Sequence, residues 1–164
     1  MLKYVMPAAL ALALTACQSS TTPTEPTTPK QPNLTVPQGA QSVKIAADPQ
    51  TVRNALISSA NERGTKVVQS TANMVVMERV MAGENPALDA EFGPSNNGNR
   101  VIRIRVRFTG AACNTFAVQE LAVLNNAHTA LEQSFVLPGN ANTQESLNGL
   151  KSRAEQSSGC PKIG

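Results

Sequence analysis

Apolar residues recur at two spacings along this chain, and each spacing predicts its own element. Alternation is cleanest from Ile102 to Phe108, where apolar residues interleave with Arg103, Arg105 and Arg107, so 101–108 is predicted as a half-buried strand. Runs of β-branched and aromatic residues predict further strands at 42–45, 65–70, 74–80, 115–124 and 129–137, with Thr71-Ala72-Asn73 marking a hairpin. Helical spacing governs two other stretches. After Asp48-Pro49, a favoured N-cap and first-turn proline, Val52, Ala55, Leu56 and Ala60 fall on one stripe that Gly64 ends. Residues 142–156 read as a second helix, with Asn142 and Glu145 spaced as a capping box and Leu147, Leu150 and Ala154 on one face. The order β-α-β-β-β-β-(β)-α predicts an α+β fold: an antiparallel sheet of five or six strands with two helices packed on one face.

Upstream of residue 43 the pattern changes. Residues 17–42 are mostly Ser, Thr, Pro, Gln and Asn, too polar to offset chain entropy by burial. Five prolines from Pro23 to Pro37 favour extended polyproline geometry, so this segment reads as a disordered, semi-rigid stalk. Before it, Lys3, the apolar Val5–Leu14 stretch and Ala16 compose a secretory signal, residues 1–16. That stretch is too short to span a bilayer, which takes about 20 residues. The remaining 43–164 suit one globular domain.

Leu14-Thr15-Ala16-Cys17 resembles the lipobox of bacterial lipoproteins. The resemblance implies that Cys17 carries a diacylglycerol and becomes the first mature residue, and two or more acyl chains anchor a protein stably. Gln18, where an aspartate would signal inner-membrane retention, implies an outer-membrane location on the periplasmic side. The order of helices and strands in 43–164 resembles the helix-grip domains of envelope lipoproteins such as BamC. Helix-grip folds can hold apolar ligands between sheet and helix, so a large apolar cavity would be the signature of a small-ligand or lipid-binding module.

Chemistry is sparse. With Cys17 lipidated, Cys113 and Cys160 remain, and in an oxidising compartment they are expected to pair. His128 is the one histidine, in a loop-like Asn-rich stretch, and Asp89 and Glu91 lie in a polar loop. No phosphate loop, nucleophile elbow or zinc-binding helix motif appears, so neither catalysis, cofactor nor metal is expected. The chain has no Trp, and its one Tyr, Tyr4, leaves with the signal, which disfavours stacking on sugars or single-stranded nucleic acid. The formal net charge of +3, reduced by one when Lys3 is cleaved, is too weak to imply a nucleic-acid partner.

Two surfaces stand out as candidates. Strand periodicity puts Arg103, Arg105 and Arg107 on one face, able to meet carboxylates or phosphates, unless cross-strand acids such as Glu78 or Glu120 neutralise them. The long connection 81–99 contains the helical stretch 86–92, whose Leu88 and Phe92 make an apolar i,i+4 pair, either docked on the domain or offered to a partner. The expectation is a non-catalytic, membrane-anchored lipoprotein that binds or scaffolds another envelope protein.

Overall fold

Two long strands carry the sheet, and a tight reversal joins them. The computed structural model describes residues 33–161. The signal segment 1–16, Cys17 and stalk residues 17–32 lie outside the described residues. Strand β4 (Asn99–Ala111) and strand β5 (Asn114–Ala127) pair along nearly their whole length, further than the alternating stretch predicted. Past Phe108 the sequence loses its apolar alternation, and the ladder with β5 alone continues the strand. Gly110 makes this possible: at φ 157° a Cβ there would sit 2.0 Å from the Asn114 carbonyl oxygen. Cys113 closes the turn with a left-handed φ of 59°.

Strand β3 (Met74–Met81) pairs with β4, and strand β2 (Lys66–Ser70) pairs with β3, with a register shift between Val67 and Gln69. On the other flank β5 is met by two short strands end to end. Strand β1 (Gln41–Ile45) pairs with 115–119 and strand β6 (Gln133–Leu137) with 121–125, leaving Glu120 between them. All these pairings are antiparallel.

One face of the sheet is roofed by helix α1 (Pro49–Glu62) and helix α3 (Ala141–Ser158). Val52, Leu56 and Ala60 of α1 and Leu147, Leu150 and Ala154 of α3 pack on Ile45, Val75, Met77, Val106, Phe108 and Ala117. The expected helical stripes, with Val106 and Phe108 of the alternating strand, are therefore the core, and Ile104 packs partly buried against it. The arrangement is α+β and helix-grip-like, with a third, seven-residue helix α2 (Pro86–Phe92) inside the 81–99 connection.

Other expected boundaries move too, each for a physical reason. The last strand begins at Gln133 rather than at 129, because residues 128–132 form a turn hydrogen-bonded back to the end of β5. Asn126 and His128 take left-handed φ values of 52° and 63°, the Thr129 hydroxyl donates to the Asn126 carbonyl at 2.7 Å, and Glu132 N–H donates to the Thr129 carbonyl. Helix α3 starts at Ala141, and its capping box is Asn140 with Thr143, not Asn142 with Glu145. Asn140 Oδ1 accepts from Thr143 N–H at 3.1 Å, and Asn140 N–H donates to Thr143 Oγ1 at 2.8 Å. Gln41 of β1 contacts both members, through the Asn140 carbonyl and the Thr143 hydroxyl. A tertiary contact thus selects between two asparagines of similar local merit. Asn140→Ala is expected to cost about 1 kcal/mol in chemical denaturation, whereas Asn142→Ala should be near neutral; equal losses would reject this cap.

Order also begins before residue 43. Residues 41 and 42 are already in β1, and 33–40 form a strap rather than free stalk: Gly139 N–H donates to the Gly39 carbonyl at 2.7 Å, and Leu34 and Pro37 are half-buried. At the other terminus, Cys113 and Cys160 form a disulfide with Cα atoms 5.5 Å apart. It joins the β4–β5 turn to the segment after α3, where Ser158 Oγ donates to the Ala46 carbonyl at 2.8 Å and Ala46 N–H donates to Glu155 Oε1 at 2.9 Å.

Candidate binding face

Directly paired residues of an antiparallel sheet point to the same side, so the register assigns the second face. It carries Met74, Val76, Glu78 and Val80 of β3, Val101, Arg103, Arg105 and Arg107 of β4, and Val118, Glu120, Ala122 and Leu124 of β5. No helix among the described residues roofs this side. Irregular chain covers its two ends instead. Near one end, Leu34 and Thr35 of the strap line a hollow with Met74 and Arg107. At the other, the 128–132 turn folds in toward Glu78 and Arg103, beside a small apolar cluster of Val101, Leu124 and Ala127.

These covers give the three arginines different roles. Arg103 is locked: Nε and Nη2 both lie 2.7 Å from Glu78 Oε1, and Nη1 lies 3.4 Å from Glu132 Oε1. Arg107 lies with its Nε 3.2 Å from Glu120 Oε2, but the N–H is not aimed at that oxygen and neither atom makes a hydrogen bond among the described residues. Arg105 is exposed and makes no ion pair among the described residues, with Val76 and Glu120 as its cross-strand neighbours. The cross-strand acids do neutralise much of the stripe. One guanidinium is left free.

Sequence reasoning named Glu78 as a neutralising acid but missed that His128 returns to it. The Glu78 side chain is only 5% exposed, and its second oxygen lies 2.7 Å from His128 Nε2. The turn is clasped again where His128 N–H donates to Glu132 Oε2 at 2.8 Å. Burial pushes the Glu78 carboxyl upward in pKa, yet the hydrogen bonds from Arg103 and His128 outweigh it and hold the group below the ordinary glutamate value of 4.5. His128 itself is a surface-turn side chain, as its sequence context implied, but it is anchored to a strand 50 residues away. The available signal was Glu78: an acid between Val76 and Val80 in mid-strand needs a partner.

The 81–99 connection docks on the helical side. Arg100, 8% exposed, donates from Nε to Asn125 Oδ1 at 2.7 Å and from Nη2 to the Gly93 carbonyl, and Nη1 pairs with Asp89 at 2.7 Å. Asn125 Nδ2 donates to the Phe92 carbonyl at 2.8 Å, and the Phe92 ring meets Phe135 of β6 at 5.2 Å between centroids. Phe92 is thus turned onto the protein's own body, and Leu88 is half-buried. Asp89, one of the two loop carboxylates, is the counter-ion that pins α2.

Between α1, α3 and the sheet lies a cleft of about 60 Å³ lined by Leu56, Met77, Ile104, Val106, Gln119 and Leu150. Ligand sites occupy about 300–1,000 Å³, so this cleft does not supply the cavity an apolar-ligand module needs. Among the described residues no group of three or more His, Cys, Asp or Glu is placed to hold a metal, and no helix is long and apolar enough to cross a membrane.

No family model and no curated protein matches this chain. Among solved structures it is similar to the crystal structure of a TBP-like protein from Parabacteroides distasonis, at 9% identity over 76% of this chain and 97% of that one, with a TM-score of 0.37. A likeness of that size carries no argument, and the α+β assignment rests on the strands and helices described above.

Proposed function

We propose that this chain is a lipid-anchored, periplasm-facing and non-catalytic module of the cell envelope, and that its unroofed sheet face binds an acidic segment of another envelope protein. One observation carries the choice of surface: Arg105 is the guanidinium of the stripe left exposed and without an ion pair among the described residues. A guanidinium fork matches a carboxylate bidentately, and the β4 position gives it a rigid base. The clasp around Glu78 supports the non-catalytic part. Both Glu78 oxygens are engaged, by Arg103 and His128, and Glu132 holds a backbone N–H, so the carboxylates gathered at His128 are occupied by structure. The anchor rests on Leu14-Thr15-Ala16-Cys17.

Each part has its own test. Cys17→Ala is expected to move the protein from membranes to the soluble fraction and to abolish palmitate incorporation; labelling that survives the change would sink the anchor. Arg105→Gln should leave stability within about 0.5 kcal/mol, since it removes no ion pair and sets no like charge against Glu120. The same change should abolish salt-sensitive capture of the partner by the full-length, membrane-bound chain. Undiminished capture would reject this face.

A further inference from the structure

The sheet ends in two edges that are built differently. Strand β2 carries two devices that discourage further pairing: Lys66, and the register shift that pushes Val68 out of the ladder. Strand β6 has neither. Its residues Gln133, Ser134, Phe135, Val136 and Leu137 include no charge and no proline, and the register with β5 runs unbroken from Asn125↔Gln133 to Leu121↔Leu137. Val136 is 69% exposed, the most exposed large apolar side chain among the described residues. On the opposite side of the strand Phe135 is half-buried against Phe92. Strand β1 continues the same edge but carries exposed Lys44, and α3 is fixed beside it through Glu155 and Ser158.

We propose that β6 pairs antiparallel with β6 of a second copy of this chain, about a twofold axis at Phe135, so that two sheets become one. Three arguments select a second copy as the occupant. The register is self-compatible in charge: Ser134 faces Val136 of the other copy, Gln133 faces Leu137, and no charged residue of β6 meets its like. Phe135 meets its own copy with Phe92 behind each, which brings four rings together where one half-buried pair stood. The pairing also closes: a twofold contact consumes both β6 edges and leaves outward only the guarded β2 edges and the β1 segments that carry Lys44. Pairing of β6 with β2 would instead propagate, and Lys66 and the bulge oppose it.

The contact is small. A five-residue strand is about 17 Å long and buries less than the roughly 800 Å² per partner of a standard interface. Association is therefore weak in dilute solution and becomes substantial when copies share one membrane plane. That last step rests on the proposed anchor, whereas the pairing itself does not.

The test uses full-length chains in their membranes. A Ser134→Cys chain and a differently tagged Val136→Cys chain are co-expressed, and mixed disulfide dimers are measured on non-reducing gels relative to total membrane-bound protein. The expected yield is at least about tenfold above that of Ser134→Cys with Val68→Cys on β2. Equal yields would overturn the proposal, and protein found in the soluble fraction would point to failure of the anchor instead. Sedimentation of the detergent-solubilised full chain gives a second readout: Val136→Lys, which sets like charges across the axis, should weaken dimerisation at least about tenfold. Dimerisation that survives Val136→Lys, or that is lost in Arg105→Gln, would place the contact elsewhere and overturn the proposal.

Discussion

Replacing Cys113 and Cys160 together by serine is expected to lower the unfolding free energy by about 4 kcal/mol, the chain-entropy value for a loop of this size. The bridge spans 47 residues of sequence and closes a loop that contains all of β5, β6 and α3. Its effect falls mainly on the unfolded chain, which becomes free to separate the two ends. In the folded state the C-terminal segment keeps the Ser158 and Glu155 bonds to Ala46, so the variant should fold. For a domain of this size the loss corresponds to a melting temperature lower by roughly 10–20 °C. Thermal unfolding by circular dichroism, with and without reductant, measures it. A shift below about 1 kcal/mol would reject the contribution of the staple, whereas the same loss on reducing the wild type, with the serine variant insensitive to reductant, would support it.

The second large effect is expected at Glu78. Glu78→Ala removes a carboxylate that is 5% exposed and leaves Arg103, 24% exposed, without its main partner. Breaking a buried pair costs about 3–5 kcal/mol; Arg103 keeps some solvent and its Glu132 contact, so the expected loss is about 3 kcal/mol. Hydrogen exchange should report faster opening of the 128–132 turn, which loses the His128 contact at 2.7 Å. The pH dependence has a definite sign. Because the folded pKa lies below the ordinary 4.5, the contribution is fully present above that value and is lost as pH falls through the folded pKa. Glu78→Gln should therefore flatten part of the acid side of the stability profile. An unchanged acid slope would mean that the pair does not hold the carboxylate ionised.

The clasp and the binding face compete for the same charges, which explains why a row of three arginines is not a three-charge site. Arg103 holds the turn, Arg107 lies by Glu120 and the strap, and Arg105 stands between. Substituting all three would mix a structural loss with a functional one. Arg105 alone separates them.

Local periodicity determined much of this protein. Val52, Leu56 and Ala60, Leu147, Leu150 and Ala154, and the alternation ending at Phe108 each appear as core because burial of a stripe or a face is written in spacings of a few residues. The Asp48-Pro49 start of α1 was legible for the same reason: a cap acts within one turn, and Asp48 accepts from Thr51 N–H at 2.9 Å. The cysteine pairing was legible because only two candidates remained once Cys17 was set aside. Tertiary structure decided the rest. Gln41, about a hundred residues away, favours Asn140 over Asn142 as the cap of α3. The β3–β4 register sets Glu78 against Arg103, and the left-handed turn at His128 returns a histidine to that pair. Which arginine stays free, which loop docks and which edge lacks protection depend on strand order and on contacts between distant segments. Spacing records which side of an element a residue occupies, but not what the fold brings to meet it.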